Sequence, residues 1–493
     1  MQGTAHCADT IECAILLLDS EHGALSYRAF RELCLVPNRP ALIRNVAAQF
    51  QVHPAVSTIV ASIGHQRTAM IAPFEHLLTE PGLAALFGDL TQKQCSAYRC
   101  PVLEEGEDPS CQPTTECVNV TVEDVFTSWA TSQARKLPFH HPDRLYLMNW
   151  HFQEEAEVAL RTQCSSSSFH QKDAIYRIPE FLGFDLMHAY HLHCEHHRHL
   201  LATSAPDDAS EHSISANTPP RCTPFGDGAA DYRFVYIGVE GTWTPLHHDV
   251  FGTFSWSLNL SGKKLWYFLT PESQKVAETL WGPAGSAMST PPPDIRVVAN
   301  MTFDTVLQQE GELIFVPSRW YHQVHNLEGT AYPTTTTSPS DREHDAPRVV
   351  SSINHNWMSF EQIDKMVALF AEEVKSLLRM TDKETRNAFT TAEWKELVDR
   401  MLLGSGAWNV AVLQSFLAFV ETLLHSLEHN ATMMIDASST QQWNDACGGH
   451  QLSSLMKTDF STQLISEWRQ TFSDAHSILE ECSELVKRTD SVG

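Results

Sequence analysis

The stretch TPLHHDVFGTFSW, residues 244–256, places two adjacent histidines directly before an aspartate. On a β-strand, side chains at positions i and i+2 share a face, whereas adjacent side chains point to opposite faces. Asp249 should therefore share a face with His247 and not with His248. On the inner face of a small barrel, one imidazole and one carboxylate would supply two of the three ligands in a metal site of two histidines and one carboxylate.

A second histidine must complete such a site, and the stretch FVPSRWYHQVHNL, residues 315–327, offers His322 and His325. The two histidines are three residues apart, so they face opposite sides of a strand and only one of them can join the site. Trp320 and Val324 share the face of His322. Parity alone leaves open which of the two faces points inward.

The region around both stretches is rich in short apolar strands. Between Tyr232 and Trp357 the sequence contains YRFVYIGV, FSWSLNL, KLWYFL, ELIFVP and VVSSINHNW, separated by glycine and proline. Many short strands with such punctuation predict a sandwich or a barrel.

Helical patterns flank the strand-rich region. On the amino-terminal side, LSYRAFRELCLVPNRPALIRNV predicts a helix, a turn and a short strand. After Trp357, the side chains of Ile363, Met366, Val367 and Phe370 lie on one stripe of a helix, and similar segments continue to the carboxyl end. We therefore predict an α+β protein whose last part is an all-α extension.

The charge balance argues against several classes of partner. Acidic residues outnumber basic ones by 60 to 34, and no run of lysine or arginine concentrates positive charge, so direct binding of nucleic acid is not expected. The amino terminus lacks a positively charged leading region, and its apolar run, residues 14–18, is too short for a signal peptide or a membrane span. We expect a soluble protein of the cytoplasm, with the nucleus as a second location, and no membrane partner.

Two groups of metal-binding residue types receive a plainer interpretation. The 12 cysteines are scattered, and the pairs Cys95/Cys100 and Cys111/Cys117 lack a second pair at zinc-ribbon spacing, so most are predicted to be reduced core residues. The run HAYHLHCEHHRH, residues 188–199, borders a segment rich in Ser, Ala, Pro and Asp and also lacks paired zinc spacing. We interpret this run as a solvated tract.

The segments RFVYIGVEGTWTPLHHDVF, FSWSLNLSGKKLWYFL, GELIFVPSRWYHQVHNLEG and SINHNW resemble, in matching order, the JmjC family of iron(II)- and 2-oxoglutarate-dependent oxygenases. The resemblance implies a double-stranded β-helix, the jelly-roll or cupin-like fold. It assigns the iron ligands to His247, Asp249 and His322, which leaves His325 outward.

The resemblance also implies residues for the cosubstrate. The distal carboxylate of 2-oxoglutarate must be paired when it is buried, because an unpaired charge there is costly. By resemblance, Lys264 makes this ion pair, Thr244 and Tyr146 bind the same carboxylate, and Asn356 lines the pocket. The plainer alternative for Lys264 is an ordinary lysine on an edge strand.

Three parts of the chain follow from these patterns. We predict amino-terminal helical and strand elements over residues 1–145 with an acidic loop near 103–117, the JmjC jelly roll over residues 146–357 with mobile insertions near 188–231 and 331–348, and a helical carboxyl-terminal region over residues 358–493.

The segments YLMNWHF and PSRWYHQVHNL resemble one branch of the family in particular, a branch that is associated with lysyl hydroxylation of a translation release factor. The resemblance therefore implies a protein hydroxylase that uses Fe(II), 2-oxoglutarate and O2 and forms succinate and CO2. The alternatives are an N-methyl-lysine demethylase and a catalytically silent binding scaffold. A homodimer through the helical carboxyl-terminal region is a further expectation. The chain departs from the family pattern at Arg319, where the turn commonly has glycine.

Overall fold

The structure is a computed structural model, and it describes most of the chain outside several segments. The described residues are 15–20, 25–66, 70–99, 116–134, 144–163, 173–191, 193–194, 232–281, 292, 294–331, 347–381, 383–406, 408–432 and 462–487.

The β-strands account for the central part of the chain. They are β1 (Leu16–Asp19), β2 (Ala41–Arg44), β3 (Gln51–Val52), β4 (Gln94–Arg99), β5 (Glu116–Thr121), β6 (Leu145–Trp150), β7 (Tyr176–Arg177), β8 (Arg233–Val239), β9 (Trp243–His247), β10 (Phe254–Ser261), β11 (Lys263–Leu269), β12 (Phe303–Gln308), β13 (Leu313–Val316), β14 (His322–Glu328), β15 (Thr330–Ala331) and β16 (Arg348–Trp357).

Helices precede, interrupt and follow these strands. They are α1 (Tyr27–Phe30), α2 (Pro54–Ser62), α3 (Glu80–Phe87), α4 (Val122–Ala134), α5 (Phe152–Gln163), α6 (Pro271–Trp281), α7 (Ile363–Met380), α8 (Lys383–Asn387), α9 (Thr391–Gly406), α10 (Val410–Thr432) and α11 (Thr462–Lys487). A further helical segment covers residues 186–191.

Two sheets form the core. The larger sheet has the order β1-β2-β13-β10-β16-β8-β6-β4-β5, with β15 paired to β16, and the smaller sheet has the order β12-β11-β14-β9. Side chains connect them, since Lys264 on β11 donates to Ser352 Oγ on β16 at 2.6 Å. Gln308 on β12 donates to the Ser257 carbonyl on β10 at 2.9 Å. The two sheets therefore face each other, and the predicted α+β fold with a jelly-roll core is confirmed.

The alternation in β10 shows why the sheets stack this way. Phe254, Trp256, Leu258 and Leu260 belong to the main hydrophobic core. The residues between them, led by Ser255, project into the space between the two sheets, and all of β10 is buried. A strand with both faces covered buries its apolar face against the outer layers and its polar face inside the barrel.

The amino-terminal elements extend the barrel. β2 pairs with β13 in antiparallel register, and β1 adds in parallel beside β2. The predicted helix, turn and strand over residues 25–46 are confirmed as α1 and β2. The boundary at residue 145 stays a prediction.

The structure describes the predicted acidic loop and the two predicted insertions only at the ends of each segment. Residues 100–115, which include most of the predicted acidic loop, lie outside the described residues, whereas Glu116 and Cys117 belong to β5. Most of the two insertions, residues 195–231 and 332–346, also lies outside the described residues.

The start of the histidine-rich run corrects our interpretation of a solvated tract. Residues 186–191 are helical, and Ala189, Tyr190 and Cys194 are buried in the main core. His188 packs edge-on against Tyr232 with ring centroids 6.1 Å apart, and desolvation lowers the pKa of His188 to about 3. The first half of the run is therefore a core helix, whose apolar partners lie far away in sequence.

The carboxyl-terminal region is helical, as predicted. α7 packs along α11 and also against the short turn at residues 250–252. Within α10, residues Val410–Glu428 are long and apolar enough to cross a membrane by length and composition alone, and 56% of this window is buried inside the protein. Packing accounts for the apolar composition, because Leu413, Phe416 and Val420 lie in the main core.

Candidate active site

Three predicted ligands meet at one mouth of the barrel. His247 ends β9 and His322 begins β14, and the two are register partners with ring centroids 4.2 Å apart. Asp249 follows β9 in extended backbone, with φ −65° and ψ 146°, just before the turn at residues 250–252. One nitrogen of each ring and one oxygen of Asp249 all lie within 4.8 Å of one another, close enough for one metal ion to contact all three.

Backbone carbonyls orient both imidazoles. The Nδ1 atom of His247 lies 2.7 Å from the Pro245 carbonyl oxygen, and the Nδ1 atom of His322 lies 2.9 Å from the Trp320 carbonyl oxygen. A carbonyl oxygen only accepts, so each Nδ1 carries a proton and donates it. The Nε2 lone pair of each ring is left available to a metal, which is the usual arrangement of histidine ligands.

The carboxylate is held as well. Ser255 Oγ donates to Asp249 Oδ2 at 2.7 Å, and Asn356 Nδ2 lies 3.5 Å from Asp249 Oδ1. Burial, followed by the neighbouring His247, lowers the pKa of His322 to about 4. His322 is therefore neutral at pH 7, the protonation state that a metal ligand requires.

A bulge in β9 places Thr244 beside His247. Val324 pairs with Thr244 and His322 pairs with His247, so two steps along β14 correspond to three steps along β9. The extra residue of a bulge lets Thr244 and His247 share a face although they are three residues apart. The premise that a regular strand continues through Asp249 was wrong, because β9 ends at His247.

The two remaining histidines of these stretches point away from the cluster. His325 stacks on Trp243 with ring centroids 5.3 Å apart, on the outer face of the smaller sheet. His248 packs edge-on against Tyr321 at 5.0 Å, and its Nδ1 lies 3.0 Å from the Asp249 carbonyl oxygen. Neither ring can join the three ligands.

Lys264 brings a positive charge into the barrel. It is 2% exposed, and its Nζ donates to Ser352 Oγ at 2.6 Å. Among the described residues no carboxylate forms an ion pair with it, and desolvation by burial lowers its pKa to about 7. β11 lies between β12 and β14, so Lys264 is not an edge-strand lysine. Lys263 points the other way and pairs with Glu328 at 2.7 Å.

Asn356 and Tyr146, the two other residues predicted to bind the cosubstrate, also lie among these buried groups. Asn356 on β16 contacts Asp249 and donates to Thr253 Oγ1 at 3.2 Å. Tyr146 on β6 is buried, and its ring lies 6.1 Å from that of Tyr236. The roles of these residues toward a cosubstrate stay predictions.

Sequence reasoning missed Tyr236 and Ser352. The Tyr236 ring lies 5.7 Å from Lys264 Nζ, and Tyr236 is the register partner of Ser352 on β16. A signal was present, because the segments FSWSLNLS and VSSINHNW carry Ser or Asn at alternate positions within apolar strands. Such inward polar positions in a small barrel indicate a polar binding cavity.

The residues present fit iron(II) and 2-oxoglutarate. Two histidines and one carboxylate on one side of a metal form the facial triad of non-haem iron oxygenases, which leaves other coordination positions open. A buried ammonium without an anionic partner needs a counter-charge, and the distal carboxylate of 2-oxoglutarate supplies one.

Comparisons with known proteins agree with this chemistry. Residues 234–332 match the family model described as "JmjC domain, hydroxylase". This range includes Thr244, Lys264 and the three ligands, whereas Tyr146 and Asn356 lie outside it.

Parts of the chain are also similar to individual oxygenases and demethylases. The chain is 32% identical over 174 residues to the 2-oxoglutarate and iron-dependent oxygenase JMJD4 of Danio rerio, which covers 34% of each chain. It is 34% identical over 152 residues to JMJD4 of Mus musculus, with 30% of this chain and 31% of that protein covered. It is 38% identical over 136 residues to the arginine-specific demethylase JMJ20 of Arabidopsis thaliana, with 26% and 24% covered.

The aligned regions span about a third or less of the length of these relatives. Residues 234–332 are therefore similar to the JmjC domain over the strands that carry the three ligands.

Proposed function

We propose that the protein is an iron(II)- and 2-oxoglutarate-dependent protein hydroxylase that modifies a lysyl side chain of a translation termination factor. The observation that carries the reaction class is the ammonium of Lys264, which is buried without a carboxylate partner among the described residues, in the same barrel as the three clustered ligands. A metal site alone would serve many reactions, and the additional buried cation favours a dicarboxylate cosubstrate.

Iron(II) and 2-oxoglutarate, when bound, supply the oxidation, in which O2 places one oxygen atom in succinate and the other in a substrate C–H bond as CO2 leaves. The chain holds and orients these groups. His247, Asp249 and His322 hold the metal from one side, and Lys264 with Thr244 fixes the far end of the cosubstrate. The apolar side chains of Trp266 and Phe268, which pack beside His322, exclude water from that wall.

The substrate assignment is supported by sequence similarity, whereas the reaction class is supported by the geometry of the site. Two of the relatives described above are JMJD4 proteins, whose printed name states iron and 2-oxoglutarate dependence and no substrate. The termination-factor substrate is supported by the resemblance of YLMNWHF and PSRWYHQVHNL to the lysyl-hydroxylating branch.

A second candidate is demethylation of a basic side chain. It is favoured by the similarity to the arginine-specific demethylases JMJ20 and JMJ22 of Arabidopsis thaliana. The sequence itself suggested N-methyl-lysine as the alternative substrate. The same three ligands serve the demethylation of either a lysine or an arginine side chain. A silent scaffold is disfavoured, because it has no need of three clustered ligands and an uncompensated buried lysine.

Partners and location are part of the proposal. We infer a cytoplasmic protein, with the nucleus as a second location, that engages a protein substrate and neither nucleic acid nor a membrane. The excess of acidic residues, 60 against 34 basic ones, supports a basic protein partner over a nucleic acid. A homodimer through the carboxyl-terminal helices is a further inference, which light scattering of the purified chain would test.

The reaction is tested with the full chain, Fe(II), ascorbate, 2-oxoglutarate and a candidate release factor. Succinate should form, and mass spectrometry should show one added oxygen atom on a lysine. His247→Ala should lose metal binding and turnover, whereas His248→Ala should keep both, because its ring lies outside the ligand cluster. Loss of a methyl group from the substrate would favour the demethylase. Succinate at the His247→Ala level would refute both enzymatic candidates.

A further inference from the structure

A pocket lies directly behind the active-site turn. It is formed where Phe251, two residues after Asp249, meets helix α7 and the start of α10. The space between these residues, counted together with the open space at its mouth, is about 260 Å³. The enclosed part is far smaller than the pockets that hold whole small molecules, which measure about 300–1,000 Å³, so the site can accept at most one side chain that enters from the open mouth.

The lining combines apolar walls with two polar groups. Leu369 and Phe370 of α7 and the ring of Phe251 form the walls, and the Trp408 ring lies 5.6 Å from that of Phe251. Glu373 contributes a carboxylate. The indole Nε1–H of Trp408 is buried without an acceptor in the described part of the chain.

The carboxylate of Glu373 has no direct ion pair within the described chain, although the nearby charge of Arg319 partly favours its ionised form. The neighbouring residue Glu372 forms an ion pair with Arg319, with 3.5 Å between Glu372 Oε2 and Arg319 Nη2. No ion pair or hydrogen bond joins Glu373 to any described residue, and desolvation by burial raises its pKa to about 7. A cation that entered the pocket would stabilise the ionised form of Glu373.

We propose that this pocket binds a lysyl side chain of the protein substrate. The aliphatic stem of lysine matches the apolar walls, its ammonium pairs with Glu373 and faces the aromatic rings, and a backbone carbonyl of the substrate can accept from Trp408 Nε1. A protein with a formal net charge of −26 also attracts basic segments. The proposal rests on the proposed function, because it assigns the substrate side chain to a site beside the metal ligands.

The test measures binding without turnover. The full chain, free of iron and cosubstrate, is labelled with 5-fluorotryptophan, and the Trp408 resonance is assigned by its absence in Trp408→Phe. Nα-acetyl-lysine methylamide should shift this resonance and saturate. Nα-acetyl-norleucine methylamide, which has the stem without the charge, should bind at least about tenfold more weakly, because a bond to a charged group is lost.

Matched variants separate charge from packing. Glu373→Gln should bind the lysine and norleucine probes equally, whereas Glu373→Asp should retain part of the lysine preference. Glu384→Gln removes the same charge from an exposed site on α8 and should keep the full preference.

Equal binding of the two probes to the unaltered protein would overturn the proposal, and so would a full lysine preference in Glu373→Gln. The titration contains no iron, so its outcome is independent of the succinate assay. Turnover without a lysine preference would refute only this inference, and a lysine preference without turnover would refute only the proposed function.

Discussion

Lys264 and Lys263 are adjacent lysines in opposite environments. The Lys264 ammonium lies between the two sheets with one hydroxyl partner, Ser352, and a tyrosine ring 5.7 Å away. Lys263, the preceding residue, sits on the outer face in an exposed ion pair. A buried charge without a counter-ion lowers the free energy of unfolding. We expect the distal carboxylate of a bound cosubstrate to offset this loss of stability at Lys264.

Lys264→Met should stabilise the metal-free and cosubstrate-free protein by a few kcal/mol at pH 6. The pKa of Lys264 is about 7 in the folded protein and 10.5 ordinarily. Between these values the unfolded chain binds more protons, so the unaltered protein gains stability as the pH rises and the difference between the two proteins shrinks.

Urea unfolding of both proteins from pH 6 to pH 9 measures this difference. Lys263→Met is the matched control, and its difference from the unaltered protein should stay small across that range because its ion pair is exposed. A Lys264→Met protein that is less stable than the unaltered one at pH 6 would contradict the prediction.

At the scale of elements, close packing between neighbouring strands shapes the cosubstrate side of the barrel. Gly238 on β8 is the register partner of Tyr146 on β6. A Cβ atom at Gly238 would overlap the hydroxyl of Thr242 and the ring of Tyr146. The absence of a side chain at Gly238 thus leaves room for the ring of Tyr146, which lies near that of Tyr236.

Gly238→Ala should lower the free energy of unfolding by about 1–3 kcal/mol, because overpacking a tight contact forces side chains to shift. Displacement of Tyr146 should also weaken 2-oxoglutarate binding more than metal binding. Denaturant unfolding and calorimetric titration with each ligand separate the two effects. Unchanged stability and unchanged affinity would show that the ring has room to move.

At the scale of the whole molecule, Glu361 joins three distant parts of the chain. Its Oε1 accepts from Tyr27 Oη at 2.9 Å, from Arg31 Nε at 2.7 Å and from Trp468 Nε1 at 2.8 Å. Phe360 stacks on Trp468 with ring centroids 4.3 Å apart. The amino-terminal helix, the strand-to-helix junction after β16 and α11 therefore share one buried carboxylate.

Glu361→Gln should lower the free energy of unfolding by about 1–3 kcal/mol, because bonds to a buried charge are replaced by weaker ones and one donor is left unsatisfied. Glu467→Gln removes another partner of Arg31, but its side chain is 45% exposed. This control should change stability by no more than about 0.5 kcal/mol. Thermal unfolding followed by circular dichroism compares them, and equal effects of the two variants would argue against a central role for Glu361.

The sequence by itself determined a large part of this protein. The short strands with glycine and proline between them predicted the barrel, because alternation and turn residues act locally. Strand parity paired His322 with Trp320 and Val324, apart from His325, and the structure has this arrangement. The motif resemblance named His247, Asp249 and His322, which now lie within one cluster.

Only the tertiary structure decided features that depend on residues far apart in the chain. The partner of Lys264 is Ser352, 88 residues away, and the apolar contacts that bury the start of the histidine-rich run come from distant helices. The bulge that turns Thr244 toward the site follows from pairing with β14, and strict alternation in β9 would have placed Thr244 outward. Burial and charge at these positions are set by what packs against them, which a local pattern does not contain.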